Sequence, residues 1–144
     1  MKIVILNSGS SSIKYQLIEM PAQTVICNGM IDRIGLDNSN LSYTTENTKI
    51  EETIAIPNHT IGLEKIAALL LDEKVGVIKS TSEIQAVGHR VVHGGSDFSD
   101  TVVITEAVKD KIQQLFDLAP LHNPANLEGI KVSETIFSQA KQVA

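Results

Sequence analysis

The sequence has 144 residues and no tryptophan, and aromatic residues amount to only 3% of it. A core built from it must be aliphatic, and stacking platforms for nucleic-acid bases are not expected with so few rings. Cysteine occurs once, at Cys27, so no internal disulfide can form, which suits a reducing compartment. Lys plus Arg number 12 against 17 Asp plus Glu, a formal charge of −5. With no basic stripe, non-specific nucleic-acid binding is not expected. Anionic small molecules remain open, because a few local cations suffice for them. Long apolar runs are missing too. Met1-Lys2 leads into only Ile3 to Leu6 before Asn7, too short for the core of a signal peptide. Nothing approaches the about 20 apolar residues of a membrane span. The expectation is a soluble, cytoplasmic protein without membrane or nucleic-acid partners. Internal repeats and low-complexity segments are likewise lacking.

What is present is a globular composition, 42% hydrophobic and 20% charged, on a length that suits one sizeable core. The first part reads as strands. Ile3 to Leu6 is a continuous apolar run, as in a strand buried on both faces. Ile13, Tyr15 and Leu17 alternate with Lys14 and Gln16, the period of a strand with one buried face. Thr24 to Asp32, Leu41 to Thr45 and Lys49 to Ile56 follow as strands, separated by loops at Gly35 and at Asp37 to Asn40. The period then changes. Leu63, Ile66, Ala67 and Leu70 have the spacing of an apolar helix face, with Asn58 or Thr60 as cap. Ile84 to Val92 reads as another strand. Val108, Ile112 and Leu115 predict a second helix capped by Thr105. Asn123-Pro124 predicts the start of a third, with Leu127, Ile130, Phe137 and Ala140 on its apolar face. After Lys141 the chain enters a further strand. Strands first, then helices alternating with strands, predict an α/β domain with a mixed sheet flanked by helices.

Three stretches carry groups suited to chemistry. In Asn7-Ser8-Gly9-Ser10-Ser11-Ser12-Ile13-Lys14, Gly9 permits a sharp turn. If the following strand begins near Ser10, then Ser10, Ser12 and Lys14 share a face. Two hydroxyls, an ammonium and turn N–H groups would then make a cradle for phosphate oxygens. The stretch is not a Walker A loop, and a solvated Ser-rich hairpin is the plainer alternative. In Gly88-His89-Arg90-Val91-Val92-His93-Gly94-Gly95, Arg90 stands in an apolar strand. Its planar fork suits a carboxylate or phosphate, or it pairs with a structural Asp or Glu. His89 and His93 are four apart, but no third ligand has supporting spacing, so core or loop histidines are favoured over zinc. In Pro120-Leu121-His122-Asn123-Pro124, His122 lies beside a helix start, where anions are favoured, or is a bystander in a capping loop.

In this order the three stretches resemble the signatures of the acetate kinase family, along the whole of this chain but only the first part of the family's length. The resemblance implies the fold of the sugar kinase, Hsp70 and actin superfamily, a ribonuclease H-like lobe. It implies reversible transfer of the γ-phosphoryl of Mg-ATP to acetate, giving acetyl phosphate and ADP. Under it Asn7 lies at the magnesium site, and Ser10, Ser12 and Lys14 face the ATP phosphates. Arg90 holds the acetate carboxylate and the migrating phosphoryl group. Val92 and Leu121 line the pocket for the acetate methyl, and His122 donates to the phosphoryl oxygens. The expected cofactors are Mg2+ and ATP, and the complete protein is expected to be a homodimer. Residues 1–144 are expected to form an N-terminal domain that lacks the nucleotide-binding C-terminal domain and is inactive alone. A propionate or butyrate kinase domain, or a non-catalytic binding module of the same fold, are the other readings.

Overall fold

The computed structural model describes residues 1–91, 101–114 and 123–144. Its strands are β1 (Lys2–Ser8), β2 (Ile13–Glu19), β3 (Thr24–Asp32), β4 (Ser39–Thr45), β5 (Lys49–Ile54), β6 (Ile84–His89) and β7 (Lys141–Val143). Its helices are α1 (His59–Leu71), α2 (Glu106–Gln114) and α3 (Asn123–Ile136), with a single 3-10 turn at Thr81–Glu83. The strands form one mixed sheet in the order β5-β4-β3-β2-β1-β6-β7. β1 to β5 make an antiparallel meander, and β6 and β7 join parallel to β1 and β6.

The meander follows directly from period-two alternation. Val4, Leu6 and Ser8 of β1, with Ile13, Tyr15 and Leu17 of β2, are buried on one face. Ile31 of β3 and Leu41 and Tyr43 of β4 continue that face across the sheet. α1 packs on it through Gly62, where the side chains of Ile13, Ile31 and Ile56 crowd the position of a Cβ at 3.2 to 3.6 Å. α3 packs on the same face, its Gly129 against Ser8. The opposite face bears Ile5, Lys14 and Gln16, and Ile5 is 39% exposed.

Local chemistry sets the helix ends. Asn58, not Thr60, caps α1: its Oδ1 accepts from Ile61 N at 2.9 Å. Such a cap is worth about 0.5–2 kcal/mol. Past α1, Asp72 Oδ1 accepts from the N–H groups of Lys74 and Val75 and starts the turn toward β6. Thr105 Oγ1 accepts from Val108 N at 3.3 Å, the expected cap of α2. Lys109 ties α2 to α3 by bridging Glu106 at 2.6 Å and Glu134 at 3.0 Å.

Several expected bounds shift. β6 stops at His89, so Arg90 stands just beyond the strand, and Val92 lies outside the described residues. Leu115 also lies outside them. α3 ends at Ile136, but Phe137 is still buried at 3% exposure, because the turn after the helix folds it into the main core. The strand expected after Lys141 is β7, and it pairs parallel with β6 at Ala86, Val87 and Gly88.

Candidate functional site

The sheet brings the first two motifs together at one edge of three adjacent strands, β2, β1 and β6. Asn7 lies directly opposite Lys14 in the β1–β2 ladder. On the other side of β1, the backbone N–H of Arg90 donates to Leu6 O at 3.1 Å. Asn7 and Lys14 of the first motif and Arg90 of the second thus stand at neighbouring strand positions. Lys14 and Arg90 are both exposed. Neither makes an ion pair or side-chain hydrogen bond among the described residues.

Two sequence expectations change here. β2 begins at Ile13, so Ser10 and Ser12 belong to the turn and do not share a strand face with Lys14. The reason is that Gly9 N donates to Ser12 O at 2.8 Å, closing a tight turn before the ladder resumes at Ser8 and Ile13. Arg90 is not a charge inside an apolar strand, and burial exerts no pressure on it to find a carboxylate.

The turn sorts its own polarity. The carbonyls of Ser8, Gly9, Ser11 and Ser12 all accept from the protein: from Asn126 Nδ2 at 2.6 Å, His59 Nε2 at 2.6 Å, Ile34 N at 2.9 Å and Gly9 N at 2.8 Å. The N–H groups of Ser10, Ser11 and Ser12 have no acceptor among the described residues. Successive N–H groups of a turn can make an anion-binding concavity, and Lys14 follows this turn on β2. With Arg90 at the next strand end, the edge presents donors and positive charge, the chemistry that holds phosphate or carboxylate oxygens.

The donor set also bears on a metal. Asn7, half-buried, offers one amide oxygen, and no cluster of three His, Cys, Asp or Glu residues suited to a metal occurs among the described residues. An amide oxygen is a hard donor of the kind magnesium accepts alongside substrate phosphates and water.

His89 is a core histidine. It is 8% exposed, and its Nε2 lies 2.6 Å from Gln142 Oε1 on β7. Burial holds its pKa below the ordinary 6.5, partly opposed by the Gln142 hydrogen bond and the Glu134 charge. His93, the other half of the pair considered for zinc, lies outside the described residues, as do Leu121 and His122.

Sequence reasoning missed two residues that support the site, His59 and Asn126. Each is nearly fully buried. A polar Asn126 among Ala125, Leu127 and Ile130 on the apolar side of α3 was the available signal. His59 gave none beyond its place after the cap of α1.

A profile of the Acetokinase family matches residues 2–144. The acetate kinase of Flavobacterium johnsoniae is 65% identical over 144 residues, covering 100% of this chain and 36% of that protein. The crystal structure of Porphyromonas gingivalis acetate kinase superposes with a TM-score of 0.93 at 47% identity, over 99% of this chain and 36% of that one. A propionate kinase from Francisella tularensis superposes with a TM-score of 0.89 at 36% identity, again over 99% and 36% of the two chains. The mixed sheet with its helices is the fold of the N-terminal domain of these kinases, of the actin-like ATPase type. The chain spans about 36% of the length of the relatives it matches.

Proposed function

This chain belongs to the acetokinase family, and from that premise we propose that it is the N-terminal, acetate- and phosphate-side domain of a kinase that transfers the γ-phosphoryl of ATP to acetate. The observation that carries the reading is that Lys14, Arg90 and the turn of Ser10 to Ser12 stand at adjacent strand ends, with no partner for either cation or for those N–H groups among the described residues. An acetate oxygen attacks the γ-phosphorus. The bond from that phosphorus to the β,γ-bridging oxygen breaks, and ADP leaves with the electron pair. Acetate reacts as its carboxylate, so no proton need be removed from it.

Such a reaction asks for positioning and charge neutralisation more than for covalent help from the protein. Lys14 and the Ser10–Ser12 turn hold phosphate oxygens of the nucleotide. Arg90 draws together two anions that would otherwise repel, the carboxylate and the migrating phosphoryl group. His122 donates to that group, and Val92 and Leu121 contact the acetate methyl. Magnesium, held in part by Asn7, supplies charge neutralisation on the nucleotide. The adenosine-binding part comes from the remainder of a longer polypeptide, which works as a homodimer in the cytoplasm.

Propionate is the second reading, supported by the likeness to the Francisella propionate kinase. Acetate is favoured because the curated relatives at 42% to 65% identity are acetate kinases. The test is the full-length protein with Mg-ATP and acetate, propionate or butyrate, trapping the acyl phosphate with hydroxylamine. The expected order of kcat/KM has acetate first. Propionate first would replace the acetate reading, and no acyl phosphate from any of the three acids would sink both.

A further inference from the structure

In a trans peptide the C=O and the following N–H point in opposite directions. A side chain that pins a carbonyl inward therefore aims the next residue's N–H outward. Gly9 O is pinned by His59 Nε2 at 2.6 Å, which turns the N–H of Ser10 away from the core. Ser8 O is pinned by Asn126 Nδ2 at 2.6 Å, which directs the N–H of Gly9 to Ser12 O and closes the turn. A carbonyl oxygen can only accept, so His59 Nε2 must carry the proton in this contact. His59 opens α1 and Asn126 lies on α3, so two helices on one face of the sheet converge on two successive carbonyls.

We propose that His59 and Asn126 are positioning residues for the anion-binding turn at Gly9–Ser12, holding its carbonyls inward so that its N–H groups meet phosphate oxygens. The proposal rests on the reading of this turn as the phosphate cradle. Neither side chain need touch a ligand, since both act through the backbone. Both are buried, at 7% and 2% exposure, so their rotamers are fixed by packing, as pre-organised donors require. Without His59 the Gly9 carbonyl loses its partner, and without Asn126 the Ser8–Gly9 peptide is held only by the bond from Gly9 N to Ser12 O; a carbonyl turned outward would set an acceptor against an anion.

The test uses the full-length protein with His59→Ala, His59→Gln and Asn126→Ala. A glutamine Nε2 reaches about as far as the histidine Nε2 and keeps the donor. One lost hydrogen bond of this kind is expected to raise the KM for ATP by about 5- to 30-fold. The KM for acetate stays unchanged, and His59→Gln restores the ATP value. A merely structural role would lower the active fraction, and with it kcat, and leave both KM values alone. The second readout is amide hydrogen exchange at Gly9 by NMR, expected to quicken in Asn126→Ala.

An unchanged KM for ATP in a folded His59→Ala, or failure of His59→Gln to restore it, overturns the proposal. Should His59→Ala not fold, Asn126→Ala decides the matter: a raised KM for ATP with faster Gly9 exchange supports the proposal, and neither change overturns it. If the parent protein makes no acyl phosphate, the functional reading fails, while Gly9 exchange still decides whether Asn126 holds the turn.

Discussion

Gly29 is the position where one added carbon should do most damage. It lies on the buried face of β3, opposite Tyr15 of β2 and Tyr43 of β4. The Tyr15 ring crosses it so that the hydroxyl can donate to Ser42 O at 2.6 Å. A Cβ at Gly29 would overlap the Ser42 carbonyl oxygen and the Tyr15 hydroxyl, and would lie 2.5 Å from Tyr15 Cζ. One of these atoms is backbone, so a rotamer change alone cannot relieve the crowding. Overpacking of this kind costs about 1–3 kcal/mol, and a buried hydroxyl stripped of its acceptor about 1–3 more. Gly29→Ala is therefore expected to lower stability by about 2–6 kcal/mol, a large share of the about 5–15 kcal/mol of an ordinary domain. Urea unfolding of this chain, followed by circular dichroism, measures it. Tyr15→Phe removes the displaced hydroxyl, so Gly29→Ala should cost less in that background, with a coupling of about 1 kcal/mol. A Gly29→Ala chain within about 0.5 kcal/mol of its parent would refute the reasoning. The consequence reaches the site, because the neighbouring register pair is Met30 with Lys14.

Arg90→Ala in the full-length protein should lower kcat about 100- to 1000-fold, as for loss of a donor to developing charge. Lys14→Ala should instead raise the KM for ATP about 10- to 100-fold. Equal effects of both on kcat alone would contradict the division of roles. His89 is held neutral by burial, with its pKa below 6.5. The unfolded chain then binds more protons below that pH, so stability is full above about 6.5 and falls as pH drops through the folded value. Urea midpoints from pH 8 to 5 should show this slope, and His89→Gln should reduce it. Cys27 is buried, and burial pushes its thiol up to about 11. A disulfide reagent at pH 8 should label it only after unfolding, and fast labelling of the native chain would show that the sheet face around it opens.

Much of the fold was legible because strand and helix periods are local. The alternation of Ile13, Tyr15 and Leu17 gave β2 and its buried face, and the spacing of Leu63, Ile66, Ala67 and Leu70 gave α1. The failures lie where a distant group decides a local bound. The turn at Ser10 to Ser12 excludes those serines from β2, because Gly9 N finds Ser12 O. Arg90 escapes burial because β6 ends at His89. His89 is the core histidine the spacing favoured, but its partner Gln142, 53 residues away, could not be read from the sequence.

The sequence by itself determined the elements, their approximate order, the aliphatic core and the family, since motifs of fixed spacing and a periodic apolar pattern are properties of the chain alone. It also named Asn7, Lys14 and Arg90 as the groups to watch. Only the tertiary structure decided that these three occupy neighbouring positions on β1, β2 and beyond β6, because strand order is set by pairing between distant segments, as between Ile3 of β1 and Ala86 of β6. It alone decided which way the peptide planes of the turn point. A carbonyl has no orientation in a sequence. His59 and Asn126, carried by two helices that meet only on the folded sheet, give it one.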